Sequence, residues 1–140
     1  MQQASALKRL IKAASAAAVL AFLATFASLA AAQKTQLLVY TALETDQLKA
    51  YQEGFNKVNP DIEIKWVRDS TGVITAKLLA EKANPQADAV MGVAASSLAL
   101  LDKQGMLEPY APLNLDAIMM KYRDTKKVPA WVGMNVWGAT

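Results

Sequence analysis

From Gln36 onward the chain alternates between short apolar runs and longer stretches with helical spacing, and that alternation leaves few folds open to it. Leu37-Leu38-Val39-Tyr40 is a continuous apolar run of the kind found in strands buried on both faces. In the next stretch, Glu44 to Asn59, Leu48, Tyr51, Phe55 and Val58 recur at steps of 3, 4 and 3. That is one face of a helix, closed by Asn59-Pro60 because the residue before proline is pushed out of the helical region. Ile62 to Val67, reading IEIKWV, is β-branched and aromatic in alternation and reads as a second strand. Val73, Ala76, Ala80 and Ala83 repeat the helical step, with Ile74 and Leu78 widening the stripe, until Asn84-Pro85. Ala89 to Val93 reads as a third strand, and Ser96 to Gln104 as a third helix stopped by Gly105 in a left-handed C′ position. The pattern predicts an α/β fold: a parallel sheet with a βαβαβ core and right-handed crossovers. Beyond Pro109 and Pro112 a short helix is expected over Asp116 to Lys121, then an extended stretch from Val128 to Thr140. PAWVGMNVWGAT stops within what reads as a buried strand, so the sequence is expected to be a piece of something longer.

Residues 1–32 read differently. Lys8, Arg9 and Lys12 precede an uncharged, alanine-rich run from Ala13 to Ala32, which ends in Ala30-Ala31-Ala32. This is the pattern of a cleavable secretory signal peptide, with Gln33 as the mature N-terminus and 33–140 as the folded part. The rival is an uncleaved anchor, which the weak insertion tendency of alanine disfavours. Those three bases account for the whole excess of 15 bases over 12 acids. The remainder is neutral, and the positive balance gives no reason to expect nucleic acid as a partner. Lys121, Arg123, Lys126 and Lys127 are interrupted by Asp124 and read as a solvated loop. The sequence has neither cysteine nor histidine. It therefore lacks the ligands of ordinary zinc sites, the imidazole base of Ser-His-Asp hydrolysis and any thiol nucleophile. No catalytic residue, metal site or cofactor is expected.

In an open parallel sheet, ligands bind at the carboxyl ends of the strands, where loops lead into helix N-termini. Three loops should meet there: Thr41-Ala42-Leu43, Arg68 to Gly72 and Ala94 to Ser97. Each carries hydroxyls (Thr41; Ser70 and Thr71; Ser96 and Ser97), and each opens a helix whose free amides and positive dipole end point the same way. Such donors suit an oxyanion. Gly72 admits close backbone approach, and Arg68 is the full positive charge on these loops. Each loop alone also reads as plain helix capping: Thr41 with Glu44 three residues on has the form of a capping box, and Arg68 has the ordinary alternative of a surface ion pair.

LLVYTALETDQLKAYQEGFNKVNPDIEIKWVRDSTGVITAKLLAEK, followed by ADAVMGVAASSLALL, GMLEPYAP and PAWVGMNVWG, resembles the periplasmic solute-binding proteins of ABC importers. Within them it is similar to the 2-aminoethylphosphonate-binding group, which is related to the ferric-iron-binding proteins. The resemblance implies the N-terminal lobe of a two-lobed fold that closes on its ligand, and a monomer that delivers it to an inner-membrane ABC permease. It implies ligand contacts from Thr41, Ala42, Ser70, Thr71, Gly72, Ala95 and Ser96, with Arg68, Glu44 and Ser97 as further candidates. The sequence departs from the family pattern at Met91, where a tryptophan is expected before Gly92. The function this implies is periplasmic binding, without catalysis, of a small phosphonate, 2-aminoethylphosphonate first. Two alternatives remain at this point: ferric iron held with a synergistic anion, and a secreted enzyme acting on a phosphoester or phosphonate. For the enzyme, Lys77 is the available base beside Ser70 or Ser96.

Overall fold

Three strands pair in the order β2-β1-β3, all parallel, with β1 in the centre. The computed structural model describes residues 34–136, so the expected leader and Trp137 lie outside the described residues. In chain order the elements are β1 (Thr35–Thr41), α1 (Thr45–Val58), β2 (Ile62–Arg68), α2 (Thr71–Ala80), β3 (Ala89–Met91) and α3 (Ala95–Lys103). The β1/β2 ladder runs from Thr35 opposite Ile62 to Thr41 opposite Arg68, and β3 joins with Thr41 opposite Met91. All three strands thus end level at their carboxyl ends, and the three loops leave from one line. β3 is two residues shorter than expected, and a side chain extends its pairing. The Leu38 N–H donates to Asp88 Oδ2 at 2.7 Å while the Asp88 N–H returns to the Leu38 carbonyl at 2.9 Å.

The core lies where α2 and α3 cover the sheet: Tyr40, Ile74, Leu78, Val93 and Leu101 form one buried cluster. Burying each of its large aliphatic side chains stabilises the fold by about 1.5–3 kcal/mol. Tyr40 is core, as its place in an apolar strand implies, and its phenol donates to Glu81 at 2.9 Å. Burial first, and then the Glu81 carboxylate, push that phenol's pKa up. α3 ends in a Schellman arrangement around Gly105, whose φ is +66°. The Gly105 N–H reaches the Asp102 carbonyl at 2.9 Å, and the Met106 N–H reaches that of Leu101 at 3.0 Å.

Four expectations need correction. The buried face of α2 is Ile74, Thr75 and Leu78, while Val73, Ala76 and Ala80 face solvent. Val73, Ala76 and Ala80 form one apolar stripe and Ile74 and Leu78 a second beside it, and the larger residues decide the face. On α1 only Leu48 is buried; Tyr51 is exposed and Val58 is 76% exposed, because a sheet with β2 at its edge leaves that flank open. The helix expected over Asp116 to Lys121 is two 3-10 turns, Leu115–Ala117 and Met120–Tyr122, a stretch too short to repay α-helix nucleation. Finally, the residues from Val128 to Val136 form no strand: their β-type pairing is an isolated antiparallel bridge, Arg123 to Val132, beside scattered hydrogen bonds such as that of the Tyr110 N–H to the Pro129 carbonyl at 2.9 Å. Gly133 fits tightly there: its N–H donates to the Tyr122 carbonyl at 2.6 Å, and a Cβ on it would stand 2.7 Å from that oxygen.

The loops after β1 and β3 are locked to each other. Gly92 has φ +70°, and a Cβ on it would lie 2.3 Å from Cγ of the fully buried Leu43. Gly72, in the first turn of α2, has nothing within 4 Å of that position. The same substitution should therefore act with opposite sign at the two sites. Gly92→Ala should cost about 1–3 kcal/mol in backbone strain and a similar amount in overpacking. Gly72→Ala should stabilise by about 0.4–1 kcal/mol through the unfolded chain. Urea melts of the two variants check this, and a Gly92→Ala protein as stable as the parent would contradict it.

The basic loop is tied down by acids. The Lys126 ammonium meets Asp102 at 2.5 Å and Asp124 at 3.6 Å. The Asp124 carboxylate accepts the Ala130 N–H at 3.0 Å and the Lys126 N–H at 3.4 Å. The Ala130 amide first, with help from the Lys126 amide and charge, holds the Asp124 carboxyl below the ordinary aspartate range. A folded-state value below the unfolded one gives stability that is present above the unfolded value, about 3.9, and lost as pH falls through the folded value. Acidification from pH ~5 toward that depressed value should lower the melting midpoint, and Asp124→Asn should remove part of the fall. An identical pH profile for the variant would contradict this.

Candidate functional site

A cleft of about 590 Å³ opens at the carboxyl ends of β1 and β3. Its floor and near wall are Ala42, Glu44, Thr71 and the run from Val90 to Ala95; Tyr122 and the segment from Trp131 to Val136 form the opposite wall. A second groove, of about 780 Å³, runs beside β3 over Leu78, Leu101, Met106 and Leu107. That groove is mainly apolar and includes neither loop that opens α2 or α3, so the first cleft is the candidate site.

The loops meet through Leu43. Its N–H donates to Thr41 Oγ1 at 3.1 Å, and its carbonyl accepts Arg68 Nε at 2.7 Å. Its side chain packs on Gly92. Thr41 lies fully buried beneath the cleft; its hydroxyl serves Leu43, and its carbonyl takes the Asp69 N–H at 3.1 Å. The capping box of α1 sits three residues further on than Thr41 and Glu44: Glu44 is the N-cap, and its N–H donates to Gln47 Oε1 at 3.1 Å. Arg68 pairs with Glu44, not with its neighbour Asp69, whose carboxylate accepts the Ser70 N–H at 2.7 Å.

Ser70 is the N-cap of α2, its hydroxyl accepting the Val73 N–H at 3.4 Å. Thr71 lines the cleft, and its carbonyl accepts the Thr75 hydroxyl at 2.6 Å. α3 begins one residue earlier than expected, with Ala94 as a cap that offers no side-chain oxygen. Ala94 and Ala95 line the cleft, Ser96 is exposed beside it and Ser97 is half-buried. Of the candidates, Ala42, Thr71, Ala95 and Glu44 are thus brought into one cavity; Thr41 lies beneath it, and Ser70, Gly72, Ser96, Ser97 and Arg68 are not part of its lining. Beside the side chains of Glu44, Thr71, Tyr122 and Asn135, the first turns of α2 and α3 border the cleft at Thr71 and Ala95. The N–H groups of the first turn of an α-helix have no partner within the helix, and both helices carry their positive dipole end here.

Sequence reasoning missed Gly92 as a structural requirement and missed the far wall. A glycine at the end of a strand, followed by a helix start, was the available signal for the first. The compact PAWVGM block, with its tightly held Gly133, was the signal for the second. Lys77 stands apart from Ser70: its ammonium pairs with Glu81 at 2.5 Å and lies 5.2 Å from the Tyr40 ring centre. The Glu81 carboxylate raises the pKa of that ammonium.

Residues 41–136, which hold all three loops and the far wall, match the family of bacterial extracellular solute-binding proteins. A probable ABC transporter periplasmic-binding protein of Sinorhizobium fredii, y4fP, is 39% identical over 64 residues, 46% of this chain and 18% of that protein. The fold is similar to that of the periplasmic binding protein AfuA from Actinobacillus pleuropneumoniae, solved with exogenous fructose-6-phosphate bound: TM-score 0.61, 31% identity, 69% of this chain and 30% of AfuA. Iron-bound HitA from Pseudomonas aeruginosa shares the fold with TM-score 0.58 at 19% identity, over 64% of this chain and 29% of HitA. The match therefore spans less than a third of each of these relatives. With the family match covering most of the chain, the protein belongs to the bacterial extracellular solute-binding proteins.

Proposed function

We propose that the chain supplies the N-terminal lobe of a periplasmic binding component of an ABC importer, exported by residues 1–32 as a cleavable signal. On this reading its cleft holds the oxyanion end of a small phosphonate or phosphate ester. The observation that carries the reading is that the N-termini of α2 and α3, at Thr71 and Ala95, open into one cavity at the carboxyl ends of a parallel sheet. Two sets of free amides and two dipole ends bear on the same space. AfuA, with its bound sugar phosphate, supports a phosphoryl or phosphonyl group as the part recognised. Among the small phosphonates, 2-aminoethylphosphonate is the ligand the sequence resemblance implies, and y4fP supports delivery to an ABC permease. The lobe would act as a monomer, by binding alone. Lys77, the base an enzyme reading needs, is engaged by Glu81 and Tyr40.

Ala95 offers a direct test. It is the first residue of α3, and Ala94 before it is already extended at φ −60° and ψ 143°. Proline is tolerated at that helical position and lacks only the N–H. Ala95→Pro should keep the fold while removing one amide donor. Hydrogen bonds to charged groups are worth about 1.5–3 kcal/mol, so affinity should fall roughly 10- to 100-fold. Calorimetric titration of parent and variant with 2-aminoethylphosphonate, fructose-6-phosphate, inorganic phosphate and ferric citrate measures this. Binding of a phosphonate or phosphate that weakens in the variant is the expected result. Binding of ferric citrate alone, or of none of the four by a folded parent, would overturn the proposal.

A further inference from the structure

The two arginines of the described residues, Arg68 and Arg123, are partnered differently. Arg68 holds the Glu44 carboxylate, whereas Arg123 meets no acid among the described residues. Instead, two of its donors converge on a thioether: Nη2 lies 2.8 Å and Nε 3.3 Å from Met120 Sδ. Nη1 donates to the Leu115 carbonyl at 2.9 Å. A thioether sulfur is a weak acceptor, so a full positive charge is poorly matched there. Met120 is 58% exposed, and so is Met119 before it. The two neighbours are equally open to solvent, and the guanidinium stands on the sulfur of Met120. The sequence has no cysteine, so methionine is its oxidisable sulfur.

A thioether reacts with a peroxide by giving a sulfur lone pair to the terminal oxygen. The S–O bond forms as the O–O bond breaks; sulfur loses two electrons and the peroxide gains them. With hydrogen peroxide, the departing hydroxide takes the proton of the transferred oxygen and leaves as water. Negative charge grows on the departing oxygen, and a guanidinium beside the sulfur stabilises it. The product changes the contact as well. A sulfoxide oxygen is polar where the thioether was not, and it accepts a charge-assisted hydrogen bond from Arg123. Arg123 is bridged to Val132, and the Tyr122 carbonyl next to it holds the Gly133 N–H at 2.6 Å. Tyr122, Val132 and Gly133 all belong to the far wall of the cleft.

We propose that Met120 is a site of oxidation by peroxides, promoted by Arg123, and that its sulfoxide fastens the far wall of the cleft through that arginine. The inference is independent of which ligand the cleft takes.

The test treats the full chain with dilute hydrogen peroxide and follows the sulfoxide at each methionine by tandem mass spectrometry of its peptides. Met120 should oxidise about tenfold faster than Met119, the gain expected when a charged donor supports the departing oxygen. In Arg123→Gln the ratio should fall close to one. The melting midpoint should rise as the Met120 sulfoxide accumulates, and the same treatment of Met120→Leu should not raise it. Equal rates at Met119 and Met120 in the parent would overturn the assignment without recourse to any variant. A ratio that survives in folded Arg123→Gln would overturn the part given to the guanidinium. A midpoint that stays or falls as the Met120 sulfoxide forms would overturn the fastening of the far wall.

Discussion

Leu43 is the residue on which the arrangement of the cleft depends. Strand register alone brings Thr41, Arg68 and Met91 to the same level, but it does not fix how the chain leaves the sheet. Leu43 does so with three different groups. Its amide is held by the Thr41 hydroxyl, its carbonyl takes Arg68 Nε, and its buried side chain occupies the space that the missing Cβ of Gly92 leaves open. One residue from the first loop thereby fixes the end of the second strand and the start of the third loop. The positive φ of Gly92 is part of the same lock, since it lets the chain turn toward α3 directly over Leu43.

On the proposed reading, the consequence is a site in which main chain carries much of the recognition. The hydroxyls of the three loops largely serve the loops themselves: Thr41 braces Leu43, and Ser70 caps α2. Of the candidate hydroxyls, Thr71 alone lies in the lining, where the first residues of α2 and α3 also stand. Amide donors on helix ends do not rotate away, so their orientation needs no reorganisation when an anion arrives. Glu44, the N-cap of α1, adds a negative charge, the one such charge of the lining among the described residues, and its pairing with Arg68 makes that charge part of the same braced unit. On the proposed reading, folding and recognition use the same bonds.

Much of this was legible in the sequence, and the boundary between what was and what was not has a physical cause. The three strands and three helices were readable because period-2 and period-3.6 patterns are local, and Gly105 was readable as a left-handed stop for the same reason. The buried side of α2 was not, because Val73, Ala76 and Ala80 offer an apolar stripe beside that of Ile74 and Leu78, and only packing selects between them. The sequence reading starts α3 one residue late, at Ser96, because Ala94 caps without a side-chain oxygen and leaves no local signal. Glu44 and Arg68 were each noticed, but their pairing joins residues 24 apart and leaves no trace in local pattern. The far wall is the same case: Val132 and Gly133 are held by Arg123 and Tyr122, a contact that no periodicity announces.

On the proposed reading, one anion bears on the N-termini of α2 and α3 at once. The most direct measurement is the amide NMR spectrum of the chain titrated with 2-aminoethylphosphonate. The account predicts that the amides of Thr71, Gly72, Ala95 and Ser96 shift together along one binding curve, while those beside the apolar groove, such as Met106 and Leu107, stay in place. Shifts confined to a single loop, or centred on the apolar groove, would contradict it.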